Sequence, residues 1–136
     1  MKHYTFLIEY AELHCNDYRK TGKKIFNKNL LFEYYYRNLC IQYIQDELST
    51  SLDSQKVKFC DEICNAYSTI PIDGPALQYL YLDMDDLTII LKCLKTNKVF
   101  VKAFVLANKD PTIVRDAKKK ALELVNAYFK ELKKYE

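Results

Sequence analysis

The stretch LLFEYYYRNLCIQYI, residues 30–44, is unusually apolar for a segment with helical spacing. Its apolar side chains occupy successive positions, so a helix here would present them on more than one side. We therefore predict a helix from about Ile25 or Asn29 to Leu48, and we interpret it as a candidate core helix. The polar cluster STSLDS at 49–54 ends it.

Amphipathic helices are predicted on both sides of this segment. Apolar residues recur every three or four positions from Tyr4 to about Lys20, and Gly22 ends that helix. After the polar cluster, Asp53 or Ser54 can cap a helix from Gln55 to about Tyr67. Its predicted apolar stripe consists of Val57, Cys60, Ile63, Cys64 and Tyr67.

The segment PIDGP, residues 71–75, ends one helix and starts another. Pro71 disfavours helical geometry at Ile70, Asp73 can accept hydrogen bonds from free amides, and Pro75 suits a first helical turn. A short helix is predicted from Pro75 to Tyr81. Asp83 or Asp85 then begins another of about twenty residues, although the β-branched residues of 98–106 also allow a strand. We prefer a helix there because no partner strand is visible.

The last helix is predicted to begin at Asp110-Pro111, a strong pair of cap and first-turn residues. Helical spacing continues to the end through Val114, Ala117, Ala121, Leu124, Val125, Tyr128, Leu132 and Tyr135. The pattern predicts an all-α, single-domain bundle of about six or seven helices over residues 1–136.

Composition is typical of a globular chain. Of the 136 residues, 49% are apolar and 29% are charged, and no uncharged apolar run is long enough to span a bilayer. Glu9 and Glu12 interrupt the first apolar run, so no secretory signal is predicted. We expect the chain in the cytoplasm.

The residues predict no catalytic or metal chemistry. Cys60 and Cys64 have helical spacing, but no second pair or nearby histidine completes a metal site, so we expect buried thiols. Two glycines, Gly22 and Gly74, cannot build a phosphate loop, and the GxSxG and HExxH sequences are absent. We expect a protein that is not an enzyme and that needs no cofactor or metal.

Charge is divided along the chain. Residues 46–91 carry nine acidic and two basic residues, whereas residues 92–136 carry twelve basic and five acidic ones. Solvated faces of separate helices explain most of this division. A basic face for phosphate contacts remains an alternative, and it would contain Lys92, Lys95, Lys98, Lys102 and Lys118 to Lys120.

Three patches resemble one known family. CDEICNAYSTIPIDGPALQYL at 60–80 is similar to the middle of the small poxvirus Bcl-2-like immunomodulators of the vaccinia virulence-factor type. FLIEY at 6–10 resembles the opening of that group, and VNAYFKEL at 125–132 resembles its closing helix. The patches occur in the family's order and span most of the chain.

The resemblance implies an all-α bundle around a central apolar helix. It also implies action without catalysis in the cytoplasm of an infected host cell, by binding host proteins. Some family members hold the homology-motif helix of pro-apoptotic proteins in an apolar groove, which inhibits apoptosis. Others block signalling adaptors that lead to NF-kappaB or interferon, and several form homodimers through their first and sixth helices.

The candidate site residues come from the apolar stripes of the helices on either side of the PIDGP segment, residues 71–75. The predicted groove residues are Phe59, Ile63, Tyr67, Leu77, Leu80, Tyr81, Leu87, Ile90, Leu91 and Leu94. The predicted dimer face is Tyr4, Phe6, Ile8 and Tyr10. The competing hypothesis is a small helical subunit of a larger assembly that binds nucleic acid through its basic second half.

Overall fold

The computed structural model describes residues 27–72 and 84–133, with side-chain surroundings for 27–72 and 86–130. The described residues form only helices, so the all-α prediction is confirmed for them. The helices are α1 Lys28–Ser49, α2 Ser54–Ser68, α3 Met84–Thr96, α4 Lys98–Asn108 and α5 Pro111–Lys133. The predicted helices at 4–20 and 75–81 lie outside the described residues.

Helix α1 is the centre of the described bundle and packs against all four other helices. The Asn27 side chain caps its start by accepting hydrogen bonds from the amides of Asn29 and Leu30 at 3.0 and 3.1 Å. Its buried residues face several directions, as the apolar stretch predicted: Leu31, Tyr34, Tyr35, Asn38, Leu39, Cys40, Ile41, Ile44, Gln45 and Leu48. The prediction of a core helix is confirmed.

Helix α2 begins where the sequence predicted. The Asp53 side chain accepts a hydrogen bond from the Gln55 amide at 2.9 Å, which satisfies one of the free amides of the first turn. The predicted stripe was wrong at Val57, which is exposed. Phe59 is buried instead, because it lies on the side of α2 that packs against α1 and α4.

The region after residue 84 contains two helices rather than the single long one predicted. Asn97 has an extended backbone, with φ −67° and ψ 125°, and its side chain accepts a hydrogen bond from the Val99 amide at 2.9 Å. Asn97 therefore caps α4 and separates it from α3. Residues 98–106 are helical, so the preference for helix over strand is confirmed.

Helix α5 is capped by Asp110. One carboxylate oxygen of Asp110 accepts hydrogen bonds from the amides of Thr112 and Ile113 at 2.9 and 3.3 Å. Proline at the first helical position has no amide to satisfy, so the Asp110-Pro111 pair acts as predicted. Ile113 is buried in the core, whereas the predicted Val114 is only half-buried.

An ionic cluster joins α1 to α3. The Glu33 carboxylate lies 2.6 Å from Lys95 Nζ and 3.3 Å from Arg37 Nε. Burial acts to raise the pKa of Glu33, but the hydrogen bonds and charges of Lys95 and Arg37 outweigh it and hold that pKa below its ordinary value. The Arg37 guanidinium also lies 4.3 Å from the centre of the Phe104 ring, which extends the cluster to α4.

Candidate functional site

The predicted groove residues that the structure describes are all in the core. Phe59, Ile63, Tyr67, Leu87, Ile90, Leu91 and Leu94 are each no more than 7% exposed. Their side chains hold α2 and α3 against the rest of the bundle. Leu77, Leu80 and Tyr81 lie outside the described residues, as do the predicted dimer-face residues Tyr4, Phe6, Ile8 and Tyr10.

A groove that includes Phe59 lies between the end of α1, the start of α2 and the second half of α4. Its volume is about 460 Å³. Binding pockets for small ligands commonly have volumes of roughly 300–1,000 Å³. Its lining is Ile44, Glu47, Leu48, Gln55, Lys56, Phe59, Lys102, Leu106, Lys109 and Asp110, and we call it the α1–α2–α4 groove.

The helices α1, α2 and α4 all contribute apolar side chains to the groove floor. Ile44 and Leu48 are one turn apart on α1, so their side chains are neighbours on the same face. Phe59 comes from α2 and Leu106 from α4. Ile44, Leu48 and Phe59 are each no more than 9% exposed, so the half-buried Leu106 is the apolar side chain of the floor that is most open to a bound segment.

Lys102 covers part of this floor. Its ammonium nitrogen lies 4.6 Å from the centre of the Phe59 ring, which is close enough for a cation–π contact. Lys102 itself is exposed, and no ion pair among the described residues includes it. The groove therefore has a positive charge directly beside its aromatic surface.

Four more charged side chains line the groove. Glu47 is near the end of α1, Lys56 is in the first turn of α2, and Lys109 and Asp110 follow α4. Two acidic and two basic residues thus accompany Lys102 in the lining. An apolar centre with a polar, charged rim is typical of a surface that binds another molecule.

A smaller depression lies between α1 and α3, with a volume of about 270 Å³. It contains Leu91, which the sequence placed in the groove, together with Leu30, Thr88, Lys92, Lys95 and Thr96. Lys95 is already paired with Glu33. This depression is smaller and is lined by fewer apolar side chains than the α1–α2–α4 groove.

The described cysteines are all thiols. Cys40 and Cys60 are buried, and burial raises the pKa of both, that of Cys40 to about 11. The Gln45 side-chain amide donates to the sulfur of Cys64 at 2.9 Å. Within the described residues, no group of three histidine, cysteine or acidic side chains could hold a metal ion.

The predicted basic face is spread over three helices. Lys92 and Lys95 are on α3, Lys98 and Lys102 are on α4, and Lys118 to Lys120 are on α5. All except Lys120 are exposed. Lys95 and Lys102 contact Glu33 and the Phe59 ring respectively, so not all of the face is available for phosphate contacts.

None of the described helices is long and apolar enough to cross a bilayer. Comparisons of the chain with protein-family models, with curated proteins and with solved structures find no match. The resemblance to the poxvirus Bcl-2-like family therefore stays an expectation, and the groove geometry carries the functional argument.

Sequence reasoning identified one lining residue of the groove, Phe59, and missed the others. Leu48 and Leu106 are separated by many residues in the chain, so periodicity within either helix could not show that they line one surface. The sequence did indicate that α1 packs against several other helices, because its first half is apolar on several sides.

Proposed function

We propose that this chain is a non-enzymatic, helical protein-binding domain that acts as an immunomodulator of the poxvirus Bcl-2-like kind. It binds host proteins in the cytoplasm of the infected cell and inhibits apoptosis, or signalling to NF-kappaB or interferon. The observation that carries this proposal is the α1–α2–α4 groove, whose apolar floor and charged rim suit an amphipathic helix.

Physical reasoning supports a helix as the guest. An amphipathic helix presents apolar residues at i, i+3, i+4 and i+7, which cover about two turns, or roughly 10 Å. On α4 and at the residue that ends it, the lining residues Lys102, Leu106 and Lys109 extend over the same seven-residue span. The lining that α4 provides and a two-turn guest helix would therefore have similar lengths.

The test is a binding titration of the purified chain against a panel of pro-apoptotic homology-motif helices. Leu106→Asp places a charge on the groove floor at a half-buried position and should abolish binding. Leu122→Asp is the matched control, because Leu122 is an exposed leucine of α5 that does not line the groove. Circular dichroism should show that both variants remain folded.

Submicromolar binding that is lost in Leu106→Asp and kept in Leu122→Asp is the expected result. If no peptide binds, the groove does not hold this class of helix, and the anti-apoptotic part of the proposal is wrong. A pull-down with purified signalling adaptors then tests the other part, with the same two variants. Equal loss in both variants would contradict the role of the groove.

Nucleic-acid binding is a second candidate, favoured by the exposed lysines on α3, α4 and α5. It predicts a different response to salt. Phosphate binding should weaken steeply as salt rises, because bound counterions are released, whereas binding to an apolar groove should change little. A titration with single-stranded and duplex RNA and DNA at two salt concentrations separates the two candidates.

A further inference from the structure

Two thiols lie next to each other on α2. Cys60 and Cys64 are four residues apart, and residues with this spacing are neighbours on one face of a helix. Cys60 is buried, with 3% of its surface exposed, whereas Cys64 is half-buried. The pair therefore extends from the interior of the bundle toward its surface. Neither residue lines the α1–α2–α4 groove, so this feature is separate from the proposed function.

Gln45 of α1 contacts both sulfurs. Its main-chain carbonyl accepts a hydrogen bond from the Cys60 thiol at 3.7 Å, and its side-chain amide donates to the Cys64 sulfur at 2.9 Å. Gln45 is itself buried, with 4% exposure, so packing of α1 holds it in place. One residue thus keeps the two sulfurs on the same side of α2, and its donated hydrogen bond favours the thiolate form of Cys64.

The spacing of the pair suits a bridging ion better than a disulfide. Residues four apart on a helix have Cβ atoms about 5–6 Å apart. A disulfide requires Cβ atoms about 3.5–4.5 Å apart. A thiolate–metal bond of about 2.3 Å on each side of one ion separates the two sulfurs by about 4.6 Å. The helix can therefore offer both sulfurs to one ion without a change in its backbone.

Ionisation of the pair is disfavoured until a cation is present. Burial raises the pKa of Cys60, and a negative charge on Cys64 raises it further. Burial also raises the pKa of Cys64, as does the nearby charge of Asp61. Both thiols are therefore protonated at neutral pH. A cation between them removes the repulsion between two thiolates, and its binding releases about two protons.

We propose that Cys60 and Cys64 form a binding site for a monovalent copper ion, which the two sulfurs coordinate in a linear arrangement. Thiolates are soft ligands that select monovalent copper over hard cations such as magnesium and calcium. A structural zinc ion takes four ligands, and the described residues contain no larger group that would supply them. Binding breaks two S–H bonds and forms two S–Cu bonds, the protons pass to solvent, and no oxidation state changes.

The experiment titrates the full chain anaerobically with monovalent copper, in competition with a coloured chelator of that ion. Cys60→Ala and Cys64→Ala each remove one sulfur. Cys93→Ala is the matched control, because Cys93 is a half-buried thiol on α3. The unchanged chain and the control should each take one copper ion from the chelator, and both site variants should lose this binding. If a thermal melt shows that Cys60→Ala weakens the fold, the half-buried Cys64→Ala decides the result.

Two further measurements identify the ligands. X-ray absorption of the copper-loaded chain should show two sulfur neighbours of the ion and no nitrogen neighbour. Copper should also protect Cys64 from iodoacetamide and leave Cys93 reactive, which mass spectrometry of labelled peptides measures. Protection of Cys93 alone would contradict the assignment of the site to α2.

Three results of the titration would overturn the inference. If the chain takes no copper from the chelator, the pair is not a copper site. If Cys64→Ala keeps the ion with unchanged affinity, other groups hold it. If Cys93→Ala loses as much binding as the site variants, the ion is shared adventitiously among thiols. None of these results bears on the groove, because its lining contains neither Cys60 nor Cys64.

Discussion

The Tyr67 hydroxyl donates a hydrogen bond to the side-chain oxygen of Asn38 at 2.9 Å, and this bond ties α2 to the central helix. Asn38 is 2% exposed, and its amide nitrogen donates to the Tyr34 carbonyl at 2.9 Å. The Tyr67 ring also contacts Phe100 of α4 edge to face, with centroids 4.7 Å apart. A single tyrosine thus links three helices in the interior.

Tyr67→Phe should reduce the free energy of unfolding by about 1–3 kcal/mol, because it leaves the buried Asn38 oxygen without its hydrogen-bond donor. The ring and its contact with Phe100 are kept, so packing should change little. Urea denaturation of the two proteins measures the difference. An unchanged midpoint and slope would contradict this role of the hydroxyl.

Asn97→Ala should destabilise the chain by about 1 kcal/mol, because the amide of Val99 loses its side-chain acceptor at the start of α4. Asn97→Asp is the control, since a carboxylate can accept the same hydrogen bond. Thermal unfolding should place the aspartate variant near the unchanged protein and the alanine variant below it. If alanine is neutral, Asn97 does not cap the helix.

Glu33→Gln should reduce stability at neutral pH and have no effect in acid. The pKa of Glu33 in the folded chain is lowered from the ordinary glutamate value. A carboxyl with a lowered folded pKa contributes stability above its unfolded pKa, and that contribution is lost as the pH falls through the folded pKa. Because the carboxylate is 36% exposed, solvent screens the pairs, and we expect about 0.5 kcal/mol at pH 7.

Urea melts at a series of pH values from about 7 downward, through and below the ordinary glutamate pKa, measure this dependence. The two proteins should differ at about pH 7, and the difference should shrink as the pH falls through the folded pKa of Glu33. A difference that persisted in acid would mean that Glu33 acts through packing and not through its charge.

Thiol labelling should distinguish the described cysteines. Cys40 is fully buried and its pKa is raised to about 11, so iodoacetamide should not modify it in the folded chain at neutral pH. Cys93 is half-buried and should react sooner. Mass spectrometry of labelled peptides, with and without urea, measures the order of modification. Rapid labelling of Cys40 in the folded chain would contradict its place in the core.

Much of the described fold could be predicted from the sequence, because its signals are local. The apolar stretch around Leu39, the cap at Asp53 and the pair Asp110-Pro111 each decide structure within a few residues. Asn97 was missed as a helix boundary because apolar residues continue in the sequence both before and after it. The signal was a change in phase: Leu94 and Phe100 are both buried, but a six-residue separation does not return to the same side of one helix.

The groove could not be predicted in the same way. Amphipathic stripes identify residues that face the interior, and the predicted groove residues that are described are buried there. The groove lining adds residues at the edges of those stripes, such as Leu106 and Lys102. Their proximity to Phe59 depends on how α2 and α4 pack on α1, which is a property of tertiary packing and not of either helix alone.

The most direct test of the groove is a nuclear magnetic resonance titration of the methyl-labelled chain with a homology-motif helix. Methyl signals of Ile44, Leu48 and Leu106 should shift together in proportion to the peptide bound, and the signal of Leu122 should stay in place. Shifts centred on Leu122, or binding that leaves the three groove signals unchanged, would contradict the account.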